Sequence, residues 1–381
     1  MSFEPRAPSD DAMESAPLDS VAEVEAFPVA LPMRRPAGFA SGTIDTAYNV
    51  IIRVRGESGE IGWAEAQPRP YTYGETQESI LRVIHERIAP YLIGNDPLTF
   101  ERYRTATAGL DDDTCARAAV EVALADLAAR RLGVPLHRLL GGAVETVPVC
   151  SMISFGTPAE MAREASQLAT DHGIATFKVK VGRDPELDVE VMRAVREAVP
   201  EATLYVDANR GWTLDQARAI APRLRELGAQ AIEEPISLED PEGRRALASE
   251  WKFPLVGDES CKSLAEVSAE IDGAVGQVAI KVARTGFGAS REIAALCRAR
   301  EVPAVVASQY EGALGAWASV ALAAALPELA TRAAELANYL DLAGDIAEGP
   351  RIVDGRVTAP TAPGLGVTVD ESALARYRVD R

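Results

Sequence analysis

TFKVKVGRDPELDVEVMRAVREAVPEATLYVDAN, residues 176–209, decides the fold. A short β-rich run ends on Lys180, an amphipathic helical stretch (LDVEVMRAVREAV) follows, and a second β run ends on Asp207. The rhythm extends both ways. From about residue 146 the runs VPVCSMI, TFKVKV, TLYVDA, QAIEEP, PLVGDES, QVAIKV and AVVASQY alternate with helical stretches such as PAEMAREASQLATDH, LDQARAIAPRLREL and SREIAALCRAR. An eighth, weaker run is expected near LANYLDL (336–342). Eight β–α units in succession predict an α/β chain with a closed parallel (β/α) barrel, a modified TIM barrel, rather than an open sheet.

The flanks have a different texture. Residues 21–66 read as β, with NVIIRVRGESGEIGWAEA forming two β-rich runs about an ESG turn. Residues 75–140 read as helical, and TCARAAVEVALADLAARRLG ends on Gly133 as a C-terminal cap. After about 347, short β and turn signals return (IVDGRV, GLGVTV). The expected organisation is an acidic, disordered tail over 1–20, an α+β capping domain over 21–145, the barrel over 146–346, and a C-terminal segment over 347–381 that runs back to the cap.

Composition narrows the function. The chain has 381 residues, 47% hydrophobic and 25% charged, enough for a large core. A net charge of −18 argues against a nucleic-acid or anionic membrane surface. It leaves room for an anionic substrate, because buried cations can set the local sign of a cleft. Cys115, Cys150, Cys261 and Cys297 are scattered without a CxxC pair, so buried reduced thiols are expected. His85, His137 and His172 are isolated, which argues against a zinc site. The Pro-, Ser- and Asp-rich start lacks the basic and apolar segments of a secretory signal, and no run of apolar residues is long enough to cross a bilayer. A cytoplasmic protein is expected.

The charged residues are the informative ones. Lys180, Asp207, Glu233, Asp258 and Lys281 each fall near the end of a β run. They are spaced by 27 (180 to 207), 26 (207 to 233), 25 (233 to 258) and 23 residues (258 to 281), one unit each time. In such a barrel the strand ends converge on one face, so the five should meet at one mouth. Three carboxylates together repel, by roughly 4 kcal/mol per pair at about 4 Å and an effective dielectric of about 20. A divalent ion with hard oxygen preferences, Mg²⁺ or Mn²⁺, relieves that repulsion. Lys178 and Lys180 lie two apart and share a strand face. Lys180 then reads as an acid/base whose pKa Lys178 lowers by repulsion.

Each residue also has a plainer reading. A lone Asp at a strand end is commonly a helix cap, and a lone Lys in a strand commonly lies on a solvated edge. The ordered set of five weighs against both. Glu234 and Glu259 read either as supports for the ligands or as solvated or capping groups, and Asn209, on the same face as Asp207, as a residue that orients a ligand or touches metal-bound water.

The motifs KVK (178–180), VDAN (206–209), IEEP (232–235), GDES (257–260) and KVARTG (281–286) resemble those of the enolase superfamily, and within it the muconate lactonizing enzyme subgroup. The resemblance runs from about residue 24 to the end. It implies Asp207, Glu233 and Asp258 as Mg²⁺ ligands, and Lys180 and Lys281 as an opposed acid/base pair supported by Lys178. The mandelate racemase subgroup needs a His–Asp dyad in later strands, where this chain has Lys281. Specificity in this family resides in two cap loops, here 34–49 and 66–77, and in the last barrel strands. These segments, with SQYEGALG (308–315), resemble cis,cis-muconate cycloisomerases of the branch that forms the lactone by anti addition. Ser308, Glu311 and Tyr73 are the implied substrate-side residues. Dipeptide epimerases carry Asp-x-Asp on the eighth strand, whereas Asp341 here is followed by Leu342 and Ala343. Tyr71, Tyr73 and Phe39 have a plainer role as packing between cap and barrel.

The expected activity is therefore a metal-dependent cycloisomerase acting on a small dicarboxylate, in a homo-oligomer. The same enolate could serve an o-succinylbenzoate synthase or an N-acylamino acid racemase. A Schiff-base aldolase using Lys180 would leave the three acids without a role, and a non-catalytic metal-binding barrel would leave the lysines without one.

Overall fold

The computed structural model describes residues 20–39, 42–110 and 112–380; apart from Ser20, the tail expected over 1–20 lies outside them. Strands β1 (Val21–Phe39), β2 (Gly42–Gly56) and β3 (Ile61–Ala66) form an antiparallel sheet in the order β1-β2-β3. Val50, Ile51, Ile52 and Val54 are fully buried on it. The helix Thr114–Arg131 packs on β2 and β3. Its close approach requires Gly62, where a Cβ would meet the backbone of Ala123 and Leu127. Gly133 follows that helix in a left-handed conformation (φ 66°), the geometry of a glycine C-cap.

Of residues 34–49, expected as a loop, the described 34–39 and 42–49 are instead the outer part of the β1/β2 hairpin, with Pro32 opposite Thr46 and Ala37 opposite Ile44. The β-branched Thr43, Ile44 and Thr46 carry the ladder outward, and a register shift between Pro32 and Ala37 absorbs the prolines. The side chain of Phe39 lies outside the described residues.

The barrel strands are β4 (Thr146–Ile153), β5 (Thr176–Lys180), β6 (Thr203–Asp207), β7 (Ala229–Glu233), β8 (Leu255–Gly257), β9 (Gln277–Ile280), β10 (Ala304–Val306) and β11 (Ala334–Glu335). They run parallel in the order β10-β9-β8-β7-β6-β5-β4, and β11 pairs with β4. The eighth strand thus lies upstream of LANYLDL. Asn338–Asp341 is a 3-10 turn, closed by Leu340 N–H to Ala337 O (3.0 Å) and by Asn338 Nδ2 to Ser308 Oγ (2.7 Å). Thr157, Asp184, Thr213, Asp240 and Ser263 cap the helices between strands, each accepting a first-turn N–H.

The tail returns along the barrel. Strands β12 (Ile352–Val353) and β13 (Arg356–Thr358) form a hairpin, and β13 pairs antiparallel with the start of β4. The helix Glu371–Tyr377 then packs on β1, and Val379 N–H donates to Pro28 O (3.0 Å).

Two apolar clusters hold the barrel. The large one fills the space between strands and helices. The small one is the barrel interior: Cys150, Tyr205, Ala231, Val256, Ala279, Val305 and Ala307. That inner set fixes the site. With a pleat of two, the next inward positions after Tyr205, Ala231, Val256 and Ala279 are Asp207, Glu233, Asp258 and Lys281.

Candidate active site

All five strand-end residues reach the barrel mouth, where Asp207, Glu233 and Asp258 are at most 1% exposed. Lys180 and Asp207 are register partners, as are Asp207 and Glu233. Lys180 Nζ donates to Asp207 Oδ2 and to Asn209 Oδ1, both at 2.6 Å. Across the mouth, Lys281 Nζ lies 2.5 Å from Asp258 Oδ2. Lys178 lies deeper, 2.6 Å from Glu335 Oε1, 3.2 Å from Glu233 Oε1 and 3.5 Å from Asp207 Oδ2.

These contacts give Lys178 a set of acidic partners. Burial opposes its charge, but Glu233, Glu335 and Asp207 outweigh burial and hold its pKa well above the ordinary lysine value. The cation is balanced by acids, so it is not a bare like charge beside Lys180. The same pairing acts on the acids. Burial would raise Asp207, yet Lys180 and Lys178 bring it down to about 2. Asp258 is likewise lowered against burial by Lys281 and Arg284. Glu233 goes the other way, raised well above the carboxylate range by burial and by the Asp207 charge.

Among the described residues no three acidic, His or Cys groups form a ready ion cage. The lysine amines rest on the oxygens that an ion would take. The donor set nevertheless fits a hard divalent cation in kind. It offers three buried carboxylates at consecutive strand ends, and the Asp207 and Asp258 charges both raise Glu233, as crowded acids do.

The remaining expected residues divide. Asn209, Glu259, Ser308 and Tyr73 line one cavity of about 670 Å³ with Lys178, Lys180, Asp258 and Lys281. Burial and the nearby Asp258 charge push Glu259 up to about 7. Glu234 lies behind the mouth. In a left-handed conformation (φ 39°), its carboxylate accepts from Arg244 (2.6 Å), Asp258 N–H (2.7 Å) and Ser260 N–H (2.9 Å). It pins the turn that carries Asp258, which justifies backbone strain of about 1–3 kcal/mol. Glu311 is also behind the wall, accepting from Ser308 Oγ and from Gln309 N–H (2.7 Å). Tyr71 is 86% exposed and packs nothing between cap and barrel. Tyr73 is half-buried against the main core, its hydroxyl 2.7 Å from Arg284. The four cysteines are buried and free.

Three participants were not anticipated. Glu335, on β11, accepts from Lys178, Tyr205 OH (2.9 Å) and Ser308 N–H (3.2 Å), joining β10 to β11 where they share no ladder. Arg284 clamps Asp258 through its carboxylate (2.6 Å) and its carbonyl (2.9 Å). Arg69 lines the cavity from the cap. Of these, Arg284 falls within the KVARTG motif and Arg69 within the 66–77 cap loop, whereas Glu335 left no sequence signal.

Comparison with known proteins follows this geometry. Residues 160–373 match the family model for the enolase C-terminal domain-like fold, and residues 21–141 match that for the mandelate racemase / muconate lactonizing enzyme N-terminal domain. Muconate cycloisomerase 1 of Pseudomonas putida is 32% identical over 91% of this chain and 94% of its own length. The L-Ala-D/L-Glu epimerase of Bacillus subtilis (strain 168) is 30% identical over 91% of this chain and 96% of its own. Among solved structures, the muconate lactonizing enzyme from Mucobacterium Smegmatis complexed with muconolactone superposes with a TM-score of 0.91 at 35% identity, covering 95% of this chain and 100% of that one. A dipeptide epimerase from Enterococcus faecalis V583, complexed with Mg and the dipeptide L-Leu-L-Tyr, gives a TM-score of 0.86 at 26% identity, covering 92% and 99%.

Proposed function

Because this chain belongs to the muconate lactonizing enzyme subgroup of the enolase superfamily and is an isomerase of that superfamily, we propose that it is a cycloisomerase converting cis,cis-muconate, or a close dicarboxylate, to muconolactone. The placement of Lys180 and Lys281 on opposite sides of three buried carboxylates supports the enolate chemistry, and the similarity to the muconolactone-bound enzyme from Mucobacterium Smegmatis is the observation that favours muconate over other enolate substrates. Asp207, Glu233 and Asp258 would hold Mg²⁺ or Mn²⁺, which when bound supplies stabilisation of enolate charge worth several kcal/mol as an order of magnitude. In the reaction one substrate carboxylate oxygen bonds to the distal alkene carbon. The π electrons move to the carbon beside the other carboxylate, and a lysine ammonium delivers the proton there. Lys178, balanced by Glu335, holds positive charge beneath the reacting carboxylate. Asn209 and Glu234 fix Asp207 and Asp258 in place.

Dipeptide epimerisation fits less well. Asp341 lies 2.5 Å from Tyr310 OH, faces Arg35, and lines a separate cavity of about 730 Å³ with Glu164. It is committed there rather than offered to a substrate ammonium. Racemisation of N-acylamino acids remains the second reading, supported by similarity to an N-succinyl Arg/Lys racemase from Bacillus cereus. Two assays on the Mg²⁺-loaded protein decide between them. Loss of muconate absorbance is expected. Deuterium exchange into N-acylamino acids with no effect on muconate would overturn the cycloisomerase reading.

A further inference from the structure

Lys180 and Lys281, the two amines that flank the carboxylates, are supported from different parts of the molecule. Behind Lys180 the support lies within the barrel. Gly182 N–H, Arg183 N–H and Trp212 Nε1 all donate to Asp188 Oδ2 (2.9, 3.1 and 3.0 Å), in the helix Pro185–Ala198 that follows. Behind Lys281 it comes from the cap. The carbonyl of Lys281 accepts from Arg284 N–H and Thr285 N–H (both 3.1 Å) and from Thr285 Oγ1 (2.8 Å), closing the first turn of the helix Val282–Ala299. That turn carries Arg284, the clamp on Asp258.

At Gly286 the helix is broken (φ 63°, ψ −167°). The run beyond the break begins at Phe287, and a helix start draws acceptors from outside itself. Glu121 supplies one from the cap helix Thr114–Arg131. It is buried, and its Oε1 accepts from Gly288 N–H (2.7 Å). Burial raises its pKa, while the Gly288 N–H, the Arg104 charge and the Phe287 N–H oppose the rise. A Cβ at position 286 would overlap the Glu121 carboxylate, so the glycine is what lets the acid approach. Without that acceptor a buried N–H is left unsatisfied, a cost the turn can relieve only by moving. Such a movement takes Lys281 and Arg284 off Asp258.

We propose that Glu121 is a positioning residue for Lys281: the cap carboxylate fixes the turn over 281–286 from behind, setting the Lys281–Asp258 half of the site and leaving the Lys180–Asp207 half to the barrel. This rests on the acid/base roles proposed above for the two lysines, but is not tied to muconate.

The chain has five lysines, and Lys252 and Lys262 are exposed references for the three in the site. The test acylates the metal-free full chain with acetic anhydride and reads the rate at each lysine by mass spectrometry, with no substrate needed. Glu121→Leu fills the space without offering an acceptor. It should raise the Lys281 rate by about tenfold or more, the size of one lost charge-assisted contact, with Lys180 within about twofold of the parent. Glu121→Gln, which keeps an oxygen acceptor, should stay near the parent. Asp126→Ala, which removes another buried acid from the same helix, should change neither lysine. If Glu121→Leu loses its circular dichroism signal, Gly286→Ala displaces the carboxylate from the barrel side and should give the same Lys281-selective rise. On the Mg²⁺-loaded protein with whichever substrate is active, Glu121→Leu should lower kcat by about 10–100-fold with KM little changed. A Lys281-selective rise with muconate inert would overturn the cycloisomerase reading and sustain the positioning role. An equal rise at both lysines, no rise at Lys281, or the same rise in Asp126→Ala would overturn the positioning role.

Discussion

Glu65, at the seam between cap and barrel, and Asp207, at the barrel mouth, are both buried acids satisfied in different ways. Glu65 accepts the N–H groups of Gly312 and Gly315, both at 3.0 Å, and Asn49 Nδ2 at 2.5 Å. Two further buried acids, in the cap and against the C-terminal segment, also hold peptide N–H groups. Glu75 accepts Cys115 N–H (3.0 Å), and Asp126 accepts Trp63 N–H (2.9 Å) and Leu365 N–H (2.6 Å) besides pairing with Arg130 (2.9 Å). Asp207 rests on lysine amines as well as Asn209 N–H (2.9 Å). A peptide N–H is fixed to the fold, whereas an ammonium on a four-carbon stem can move when a ligand arrives. Glu65, Glu75 and Asp126 therefore serve stability and the mouth acids serve chemistry.

The largest expected effect breaks the mouth. Lys180→Ala should reduce turnover by about 10²–10⁴-fold while ligand binding and the melting temperature persist. Asp207→Asn and Glu233→Gln should abolish metal-dependent turnover with the fold intact by circular dichroism. Retained activity in either acid variant would count against the ligand assignment.

Next is the support behind the mouth. Glu234→Gln should lower metal affinity or turnover by about 10–100-fold, the usual cost of losing a partner that orients a ligand. Metal titration alongside steady-state kinetics would measure it, and unchanged values would show that Asp258 holds its place unaided.

Away from the mouth the readout moves from rate to stability. Asp126→Ala leaves two buried N–H groups without a partner, and each unsatisfied group costs about 1–3 kcal/mol. Urea unfolding should show that loss, with activity per folded molecule unchanged.

The smallest effect is a pH slope. Burial and the nearby Asp345 charge push Glu65 up to about 7 from a reference of 4.5. The folded state therefore keeps a proton that the unfolded state releases in that window. The Glu65 contribution is fully present below about pH 4.5 and declines as pH rises toward about 7. Melting curves across this range should fall less for Glu65→Gln than for the parent; parallel curves would contradict the shift.

The same physics explains what could be read in advance. Asp207, Glu233, Asp258 and Lys281 lie two residues beyond inward apolar positions, so pleat and unit spacing placed them together. Glu335 escaped because a two-residue strand shows no period. The cap hairpin over 34–39 and 42–49 escaped because its prolines and glycines read as a loop, while pairing with the facing strand overrode that local signal. Arg69 sits in a proline-rich turn, QPRPY, and its position depends on a contact with Gln309 that lies 240 residues away in the chain.

The central claim is tested most directly by titrating Mn²⁺ into the metal-free protein and following free ion by electron paramagnetic resonance, in the parent chain and in Asp207→Asn. The account predicts one tight site per chain, weakened at least about tenfold in the variant. No stoichiometric binding, or binding indifferent to the substitution, would contradict it.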